Sequence, residues 1–284
     1  MAESSRLGQA IQSAANKLRD VTETSKLDAQ TLMAHVLGRN RSWLLAHPEF
    51  PLDESAKQAF DHAVERVQQG EALPYVLGER WFYGRLFSVE PVVLIPRPET
   101  ELLIEAALEY LRAYPDRRRA VDVGTGSGCI AVTLCAEMSE LRMIASDRSL
   151  DVVEIARANA EAHNVVDRID LLVGDLLEAL VGEFDLICAN LPYIPSARLD
   201  SLDVAKREPR TALEGGADGL KIIACLLLEA QNLLAPGGRM VLEIDETHGE
   251  RVKDLAESVH PGWKTEVRKD LAGLDRILIV DRNS

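Results

Sequence analysis

Cysteine is scarce in this chain: only four of its 284 residues are cysteines, and no two of them form a Cys-x-x-Cys pair. Structural metal sites usually draw ligands from such short pairs, so we expect no metal. We interpret the thiols as reduced core residues of predicted helices and a strand. They are Cys129, Cys135, Cys188 and Cys225.

Long apolar runs are also missing. No run approaches the roughly 20 residues of a membrane-spanning helix, and the first six residues lack the apolar stretch of a secretion signal. We therefore expect a cytoplasmic protein with no membrane contact. A hydrophobic content of 46% in 284 residues allows one catalytic domain and a small second one.

Positive charge is in deficit, since 32 Lys and Arg residues face 46 Asp and Glu residues for a net charge of −14. An enzyme acting on duplex DNA needs a basic surface to offset phosphate repulsion. We expect no direct nucleic-acid partner, and an acidic body suits a basic protein partner better. The basic cluster 117–119 is most simply a solvated helix end, with a functional role as the alternative.

A glycine loop follows an apolar segment at 121–123, a pattern typical of a strand that runs into a loop and a helix. Glycines let a cofactor approach the backbone closely. The GxGxG spacing, instead of GxGxxG, favours S-adenosylmethionine over NAD. A plain strand-to-helix turn is the alternative. The predicted cofactor-binding residues of this loop are Gly124, Thr125, Gly126, Ser127 and Gly128.

Two further predicted strands end in acidic residues. The strand 141–146 is followed by Asp147, whose carboxylate can accept both ribose hydroxyls of the cofactor. The strand 169–173 is followed by Gly174, Asp175 and Leu176, and we expect the last two to flank the adenine. Agreement among three strand ends supports the cofactor site.

A fourth predicted strand, 184–189, leads into Asn190-Leu191-Pro192-Tyr193. An amide or exocyclic amine is a poor nucleophile because its lone pair is delocalised. The oxygen of Asn190 and the carbonyl of Leu191 or Pro192 can accept its two N–H bonds and aim the lone pair at a sulfonium. Pro192 fixes the turn and Tyr193 offers a flat packing face. These substrate-binding residues predict methylation of a planar nitrogen, with Asn190, Pro192 and Tyr193 catalytic. In the alternative, a proline turn simply follows the strand and Tyr193 covers the core.

These motifs resemble the protein-(glutamine-N5) methyltransferases that modify peptide chain release factors. Asn-x-Pro-Tyr is shared with DNA adenine methyltransferases, whereas the string from Leu94 to Glu101, LIPRPETE, is far narrower. The resemblance covers nearly the whole chain. Further matching segments are Pro74–Gly78, Trp81–Gly84, Glu208–Pro209, Asp218–Leu220, Pro236–Gly238 and Glu243–Ile244.

The resemblance implies that the substrate is the glutamine of a Gly-Gly-Gln loop in class 1 peptide chain release factors. It implies that Asn190 grips the amide, Pro192 accepts through its carbonyl and Tyr193 packs on it. Cofactor contacts are implied at Gly124 to Gly128, Asp147, Asp175, Leu176 and Asn190. Leu191 replaces the usual proline, which loosens the turn; Asp245 replaces a glycine, and Leu176 a tryptophan-like residue.

The fold we expect is α/β, a seven-stranded Rossmann-like class I methyltransferase sheet with a small N-terminal helical bundle. We place the bundle at 1–75, a β-hairpin linker at 76–98 and the S-adenosylmethionine-dependent methyltransferase domain at 99–284. The bundle is either a stabilising cap or the docking surface for the release factor. We expect the segment 194–218 to be a long loop beside the active site.

Some assignments stay open at this point. Arg97 and Glu99 lie either over the cofactor mouth or in an interdomain salt bridge, which we prefer slightly. A nucleic-acid adenine or cytosine N-methyltransferase and a non-catalytic cofactor-binding module are the alternative functions. We expect a monomer.

Overall fold

The computed structural model describes residues 6–283, which form two compact units. The first ends at Gly78 and the second begins at Glu79. The division thus lies beyond position 75, and the predicted hairpin belongs to the second unit instead of standing as a separate linker.

The first unit is the helical bundle that the sequence predicts. Its helices share one apolar core in which Met33 and Phe60 are almost fully buried. Asp53 caps the fourth helix by accepting a 2.7 Å hydrogen bond from Ala56 N. The helices are α1 (Leu7–Lys17), α2 (Ser25–Leu37), α3 (Arg41–Ala46), α4 (Glu54–Gln68) and α5 (Leu73–Leu77).

A β-hairpin opens the second unit. Strand β1 (Glu79–Phe82) pairs antiparallel with β2 (Arg85–Ser88). The two turn residues, Tyr83 and Gly84, have φ of 47° and 72°, as a tight hairpin turn requires. Glycine fits the second of these positions because it has no Cβ to strain.

The predicted seven-stranded α/β sheet is confirmed. Five strands are parallel, and the last two form the predicted closing hairpin. The strands are β3 (Arg119–Val123), β4 (Arg142–Asp147), β5 (Ile169–Val173), β6 (Phe184–Ala189), β7 (Leu234–Glu243), β8 (Lys264–Lys269) and β9 (Asp275–Asp281). Their order in the sheet is β5-β4-β3-β6-β7-β9-β8. Strands β4 and β5 lie on one side of β3 and the later strands lie on the other side, so the topological switch point is between β3 and β6. Open α/β sheets bind ligands at such a point, outside the carboxyl ends of the strands.

Helices cover both faces of this sheet, which explains why a central strand such as β6 is apolar on both of its faces. On β6, for example, Ile187 packs into one core cluster and Cys188 into the other. The helices are α6 (Thr100–Ala113), α7 (Cys129–Glu137), α8 (Leu150–Ala162), α9 (Ser196–Leu199), α10 (Lys221–Ala230) and α11 (Gly249–Val259). Across residues 6–283, no helix is both long and apolar enough to cross a membrane.

The segment 194–218 is more ordered than a plain loop. It contains α9, two 3₁₀ turns and an apolar cluster of its own around Ile194, Leu199 and Leu213. The sequence did not indicate this order because these apolar residues follow no regular period.

Three of the four cysteines are buried as predicted, but Cys225 is exposed. Helix α10 buries Ile223 and Leu227 against the sheet, and Cys225, midway between them, faces away. The prediction of a core cysteine is wrong at this position.

The basic cluster 117–119 is held by the protein itself. Arg117 forms an ion pair with Asp185 at 3.1 Å, and the backbone N–H groups of Arg118 and Arg119 donate to the same carboxylate. The guanidinium of Arg119 lies over the ring of Phe184. These contacts favour the structural interpretation of the cluster.

Candidate active site

A cavity of about 1090 Å³ opens at the carboxyl ends of β3, β4, β5 and β6. All four strand ends contribute to its wall, as expected for a topological switch point. Gly128 and Tyr193 are the predicted site residues that do not line it. Those that do are Gly124, Thr125, Gly126, Ser127, Asp147, Asp175, Leu176, Asn190, Leu191 and Pro192.

Backbone hydrogen bonds hold the glycine loop against β4. Thr125 N donates to Ser146 O at 2.9 Å, and Gly126 N donates to the Asp147 carboxylate at 3.2 Å. Gly126 has φ +56°, and a Cβ built on it meets nothing within 4 Å. The loop therefore presents bare backbone to the cavity at Gly126.

The other two glycines lie close to atoms of the protein itself. A Cβ on Gly124 would lie 2.9 Å from Leu191 Cδ2, and one on Gly128 would lie 3.2 Å from Ala156 Cα. The sequence predicts that a side chain at these positions would collide with the cofactor. At Gly124 and Gly128, the structure shows that a side chain would meet atoms of the protein instead. Gly128 serves the close approach of the loop to α8.

The Asp147 carboxylate is fixed at the end of β4. One oxygen accepts from Gly126 N, and the other accepts from Ser149 N at 3.3 Å. A carboxylate has about four lone-pair sites, so acceptor capacity remains for a ligand in the cavity.

Asp122 lies behind the loop, fully buried. One of its oxygens accepts hydrogen bonds from Thr125 Oγ1 at 2.7 Å and from Ala131 N at 3.2 Å. Burial raises the pKa of this carboxyl to about 7. Asp122 ties the glycine loop to α7 but does not line the cavity.

The end of β5 contributes Asp175 and Leu176. Asp175 is 4.0 Å from the guanidinium of Arg148, which also lines the cavity and was not among the predicted residues. Leu176 has φ 44°, an uncommon conformation for a residue with a side chain. Local sequence patterns carry no signal for the Arg148 contact.

At the end of β6, Asn190 makes one side-chain contact of particular consequence. Its Nδ2 donates to Thr100 Oγ1 at 3.1 Å, and Thr100 Oγ1 in turn donates to Glu243 Oε2 at 2.6 Å. The Asn190 oxygen accepts no hydrogen bond from the part of the chain that the structure describes. It is free to accept from a ligand in the cavity.

The segment 194–218 packs directly on the Asn-x-Pro-Tyr turn. A Cβ on Gly215 would lie 2.7 Å from the carbonyl oxygen of Pro192 and 2.7 Å from Tyr193 Cα. The hydrogen bond from Gly215 N to Ile194 O at 2.9 Å holds this approach. The turn is therefore supported from outside, despite the leucine at position 191.

Tyr193 does not line the cavity. Its hydroxyl donates to Glu243 Oε1 at 3.2 Å, and its ring packs against the core clusters. Burial raises the pKa of Tyr193 well above its usual range. This arrangement favours the alternative interpretation, in which Tyr193 covers the core.

The cavity rim includes residues 91–97, which are outside the predicted site residues, although one of the two alternatives for Arg97 places it over the cofactor mouth. Residues 91–97 contribute six of its lining residues, among them Arg97, which forms an ion pair with Glu208. The other Glu208 oxygen accepts from Ile95 N at 3.1 Å. Because both partners belong to the second unit, the preferred interdomain salt bridge is wrong for Arg97, and its place in the cavity wall agrees with the alternative, a position over the cofactor mouth.

The residues present fit an adenosine-containing cofactor. The Ser127 hydroxyl is buried, lies in the cavity wall and has no hydrogen-bond partner among the described residues. One wall of the cavity therefore offers hydrogen-bond donors and acceptors to a ligand. They belong to the Ser127 hydroxyl, the backbone of Gly126 and the Asp147 carboxylate. Over residues 6–283, no cluster of three or more His, Cys, Asp or Glu side chains is arranged to hold a metal ion.

Two family descriptions match the chain. Residues 9–78 match the PrmC N-terminal domain, and residues 98–208 match the methyltransferase small domain. A methyltransferase from Pyrococcus furiosus shares the fold, with a TM-score of 0.53, 18% identity and coverage of 79% of this chain and 100% of that one.

Relatives of known name extend over most of the chain. A release factor glutamine methyltransferase of Nitratidesulfovibrio vulgaris is 41% identical over 92% of this chain and 90% of its own length. One of Moorella thermoacetica is 40% identical over 92% of both. This chain belongs to the release factor glutamine methyltransferase family, whose members are S-adenosylmethionine-dependent enzymes.

Proposed function

We propose that this enzyme transfers a methyl group from S-adenosylmethionine to the side-chain nitrogen N5 of the glutamine in the Gly-Gly-Gln motif of class 1 peptide chain release factors. The observation that carries the proposal is the free side-chain oxygen of Asn190 in the cavity wall, beside the Pro192 turn. The names of the relatives, release factor glutamine methyltransferase, support this substrate class.

Asn190 and the turn after it orient the substrate amide. A primary amide has two N–H donors and a delocalised nitrogen lone pair. With one N–H on Asn190 Oδ1 and the other on the carbonyl of Pro192 or Leu191, the lone pair is held in one direction. The substrate nitrogen then forms its bond to the methyl carbon as the bond from carbon to sulfur breaks.

The cofactor supplies an electrophilic methyl group on a sulfonium. We assign its ribose hydroxyls to Asp147 and its adenine to the wall formed by Asp175 and Leu176. The glycine loop, with Gly126 and Ser127 at the cavity, lies against the rest of the molecule. Asp147 is already oriented by two backbone N–H groups, so little ordering is needed on binding.

No strong general base is required before transfer. Asn190 is neutral and cannot take up a proton, and the amide nitrogen becomes acidic only once it carries the methyl group. The excess proton then leaves to solvent. Tyr193 takes no part in this proton transfer, since its hydroxyl is committed to Glu243.

The N-terminal helical unit serves, in this proposal, as the docking surface for the release factor, and the enzyme is a cytoplasmic monomer. Support comes from the match of residues 9–78 to the PrmC N-terminal domain. Nucleic-acid methylation is disfavoured, because a net charge of −14 repels a phosphate backbone.

The test is incubation with labelled S-adenosylmethionine and unmethylated release factor, with duplex DNA as a parallel acceptor and peptide mass spectrometry to map the label. We expect label on the Gly-Gly-Gln glutamine. Label on DNA alone would replace the proposal with nucleic-acid methylation. Label on neither, with cofactor still bound, would indicate a different acceptor or a non-catalytic module.

A further inference from the structure

Three buried or half-buried polar side chains meet at the ends of neighbouring elements. Asn190 directly follows β6, Glu243 ends the adjacent strand β7, and Thr100 begins α6. Thr100 and Glu243 are 1% and 2% exposed, so each requires its hydrogen bonds within the protein.

The hydrogen bonds in this group have one consistent direction. Burial raises the pKa of Glu243 to about 6, so above neutral pH it is a carboxylate that only accepts. Its two oxygens accept from the hydroxyls of Thr100 and Tyr193. The charged groups that also act on it are Glu99 and Arg276.

Thr100 has a single hydroxyl proton. Because that proton goes to Glu243 at 2.6 Å, the hydroxyl can only accept from Asn190. The end of the Asn190 amide that faces Thr100 must therefore be its nitrogen, which lies 3.1 Å away. An asparagine with no such neighbour can turn its amide over and present N–H groups to the cavity.

We infer that Thr100, held by Glu243, is a positioning residue that fixes the Asn190 amide with its oxygen toward the substrate. This inference rests on the proposed role of Asn190 as the acceptor for the substrate amide. Neither Thr100 nor Glu243 touches the reacting atoms in this scheme. Both act through Asn190, and Glu243 sets the direction of the whole chain of hydrogen bonds.

The test uses the full-length enzyme at pH 8. Thr100→Val has nearly the same shape without the hydroxyl, and Thr100→Ser keeps the hydroxyl. We expect Thr100→Val to lower kcat by about 10- to 100-fold, with the Kd for S-adenosylmethionine changed less than about threefold. Thr100→Ser should recover kcat to within about threefold. Thr100→Ala, which also lacks the hydroxyl, replaces Thr100→Val if the valine variant does not fold.

A second readout does not depend on turnover. In protein labelled with ¹⁵N-asparagine, the Asn190 side-chain signals are assigned by their loss in Asn190→Ala. We expect hydrogen exchange of the hydrogen-bonded Nδ2–H to be at least about tenfold faster in Thr100→Val than in wild type or Thr100→Ser. Unchanged exchange, or unchanged kcat in a folded variant without the hydroxyl, would overturn the inference.

The two arms separate this inference from the proposed function. If wild-type enzyme fails to methylate the release factor, the proposed substrate is wrong, and the exchange measurement still decides whether Thr100 orients Asn190. If wild type is active and Thr100→Val is equally active, only the positioning role is lost.

Discussion

The backbone N–H of Gly126 donates to the carboxylate of Asp147 over 3.2 Å, joining the glycine loop to the end of β4. Gly126 has no side chain to cover the cavity, and Asp147 lines the same wall. Loop and carboxylate are therefore arranged before any ligand binds. Preformed sites lose less affinity to ordering.

Asp147→Ala should raise the Kd for S-adenosylmethionine by at least about 10-fold, because each charged hydrogen bond that it removes is worth about 1.5–3 kcal/mol. Isothermal titration calorimetry measures this directly. Asp151→Asn, an exposed acid in the first turn of α8, is the control for loss of charge alone. An unchanged Kd in Asp147→Ala would remove the ribose assignment.

Gly126→Ala and Gly128→Ala should differ in the property that each reduces more, cofactor affinity for the first and stability for the second. Both place a side chain at positive φ, costing about 1–2 kcal/mol, but only the Gly128 variant also forces a Cβ to 3.2 Å from Ala156. We expect Gly128→Ala to lose more stability in urea unfolding and Gly126→Ala to lose more cofactor affinity. The reverse ranking would show that Gly126 does not face the cofactor.

Asn190→Ala should reduce turnover of release factor by at least about 100-fold, because the substrate amide loses its side-chain acceptor. S-adenosylmethionine binding should be weakened but detectable by calorimetry. Asn232→Ala, at an exposed position after α10, is the matched control. Intact turnover in the Asn190 variant would rule out the amide-orienting mechanism.

The buried Asp122 should make stability fall as pH rises. Its pKa is raised from 3.8 to about 7, chiefly by burial, so between these values the folded protein holds a proton that the unfolded chain has lost. The free energy of unfolding should drop over this window by up to about 4 kcal/mol from this group. Glu243, with its pKa raised to about 6, adds in the same direction.

Urea unfolding of the cofactor-free protein between pH 4 and pH 8 measures this dependence. Asp122→Asn should flatten the decline, whereas Asp116→Asn, in an exposed turn, should leave the curve parallel to that of the wild type. Equal slopes for the Asp122 variant and the wild type would mean that Asp122 ionises normally in the folded state.

Cys225 should be the one thiol of the native protein that reacts quickly with iodoacetamide. It is exposed and lines the cavity, whereas the other three are buried and burial raises the pKa of Cys129 and Cys135 to about 12. Intact-protein mass spectrometry should show a single adduct, absent in Cys225→Ser. Slower labelling of Cys225 with bound S-adenosylmethionine would show that the ligand shields this part of the cavity wall.

The amino-acid sequence alone determined the strands of the large sheet and the residues that follow them. Strand and helix periods are local, and parallel strands align their carboxyl ends, so Gly126, Asp147 and Asn190 were expected at one edge of the sheet. The structure brings them to one cavity. The same local reasoning misplaced Cys225, because its helix has an outer face.

Only the tertiary structure decided which side chains meet across elements. Thr100 is 90 residues from Asn190 and 143 from Glu243, and their contacts depend on how α6 packs beside β6 and β7. For the same reason, the Tyr193 hydroxyl meets Glu243, and Tyr193 does not line the cavity. Hydrogen bonds between distant residues depend on packing to within a few tenths of an ångström, which no local sequence period encodes.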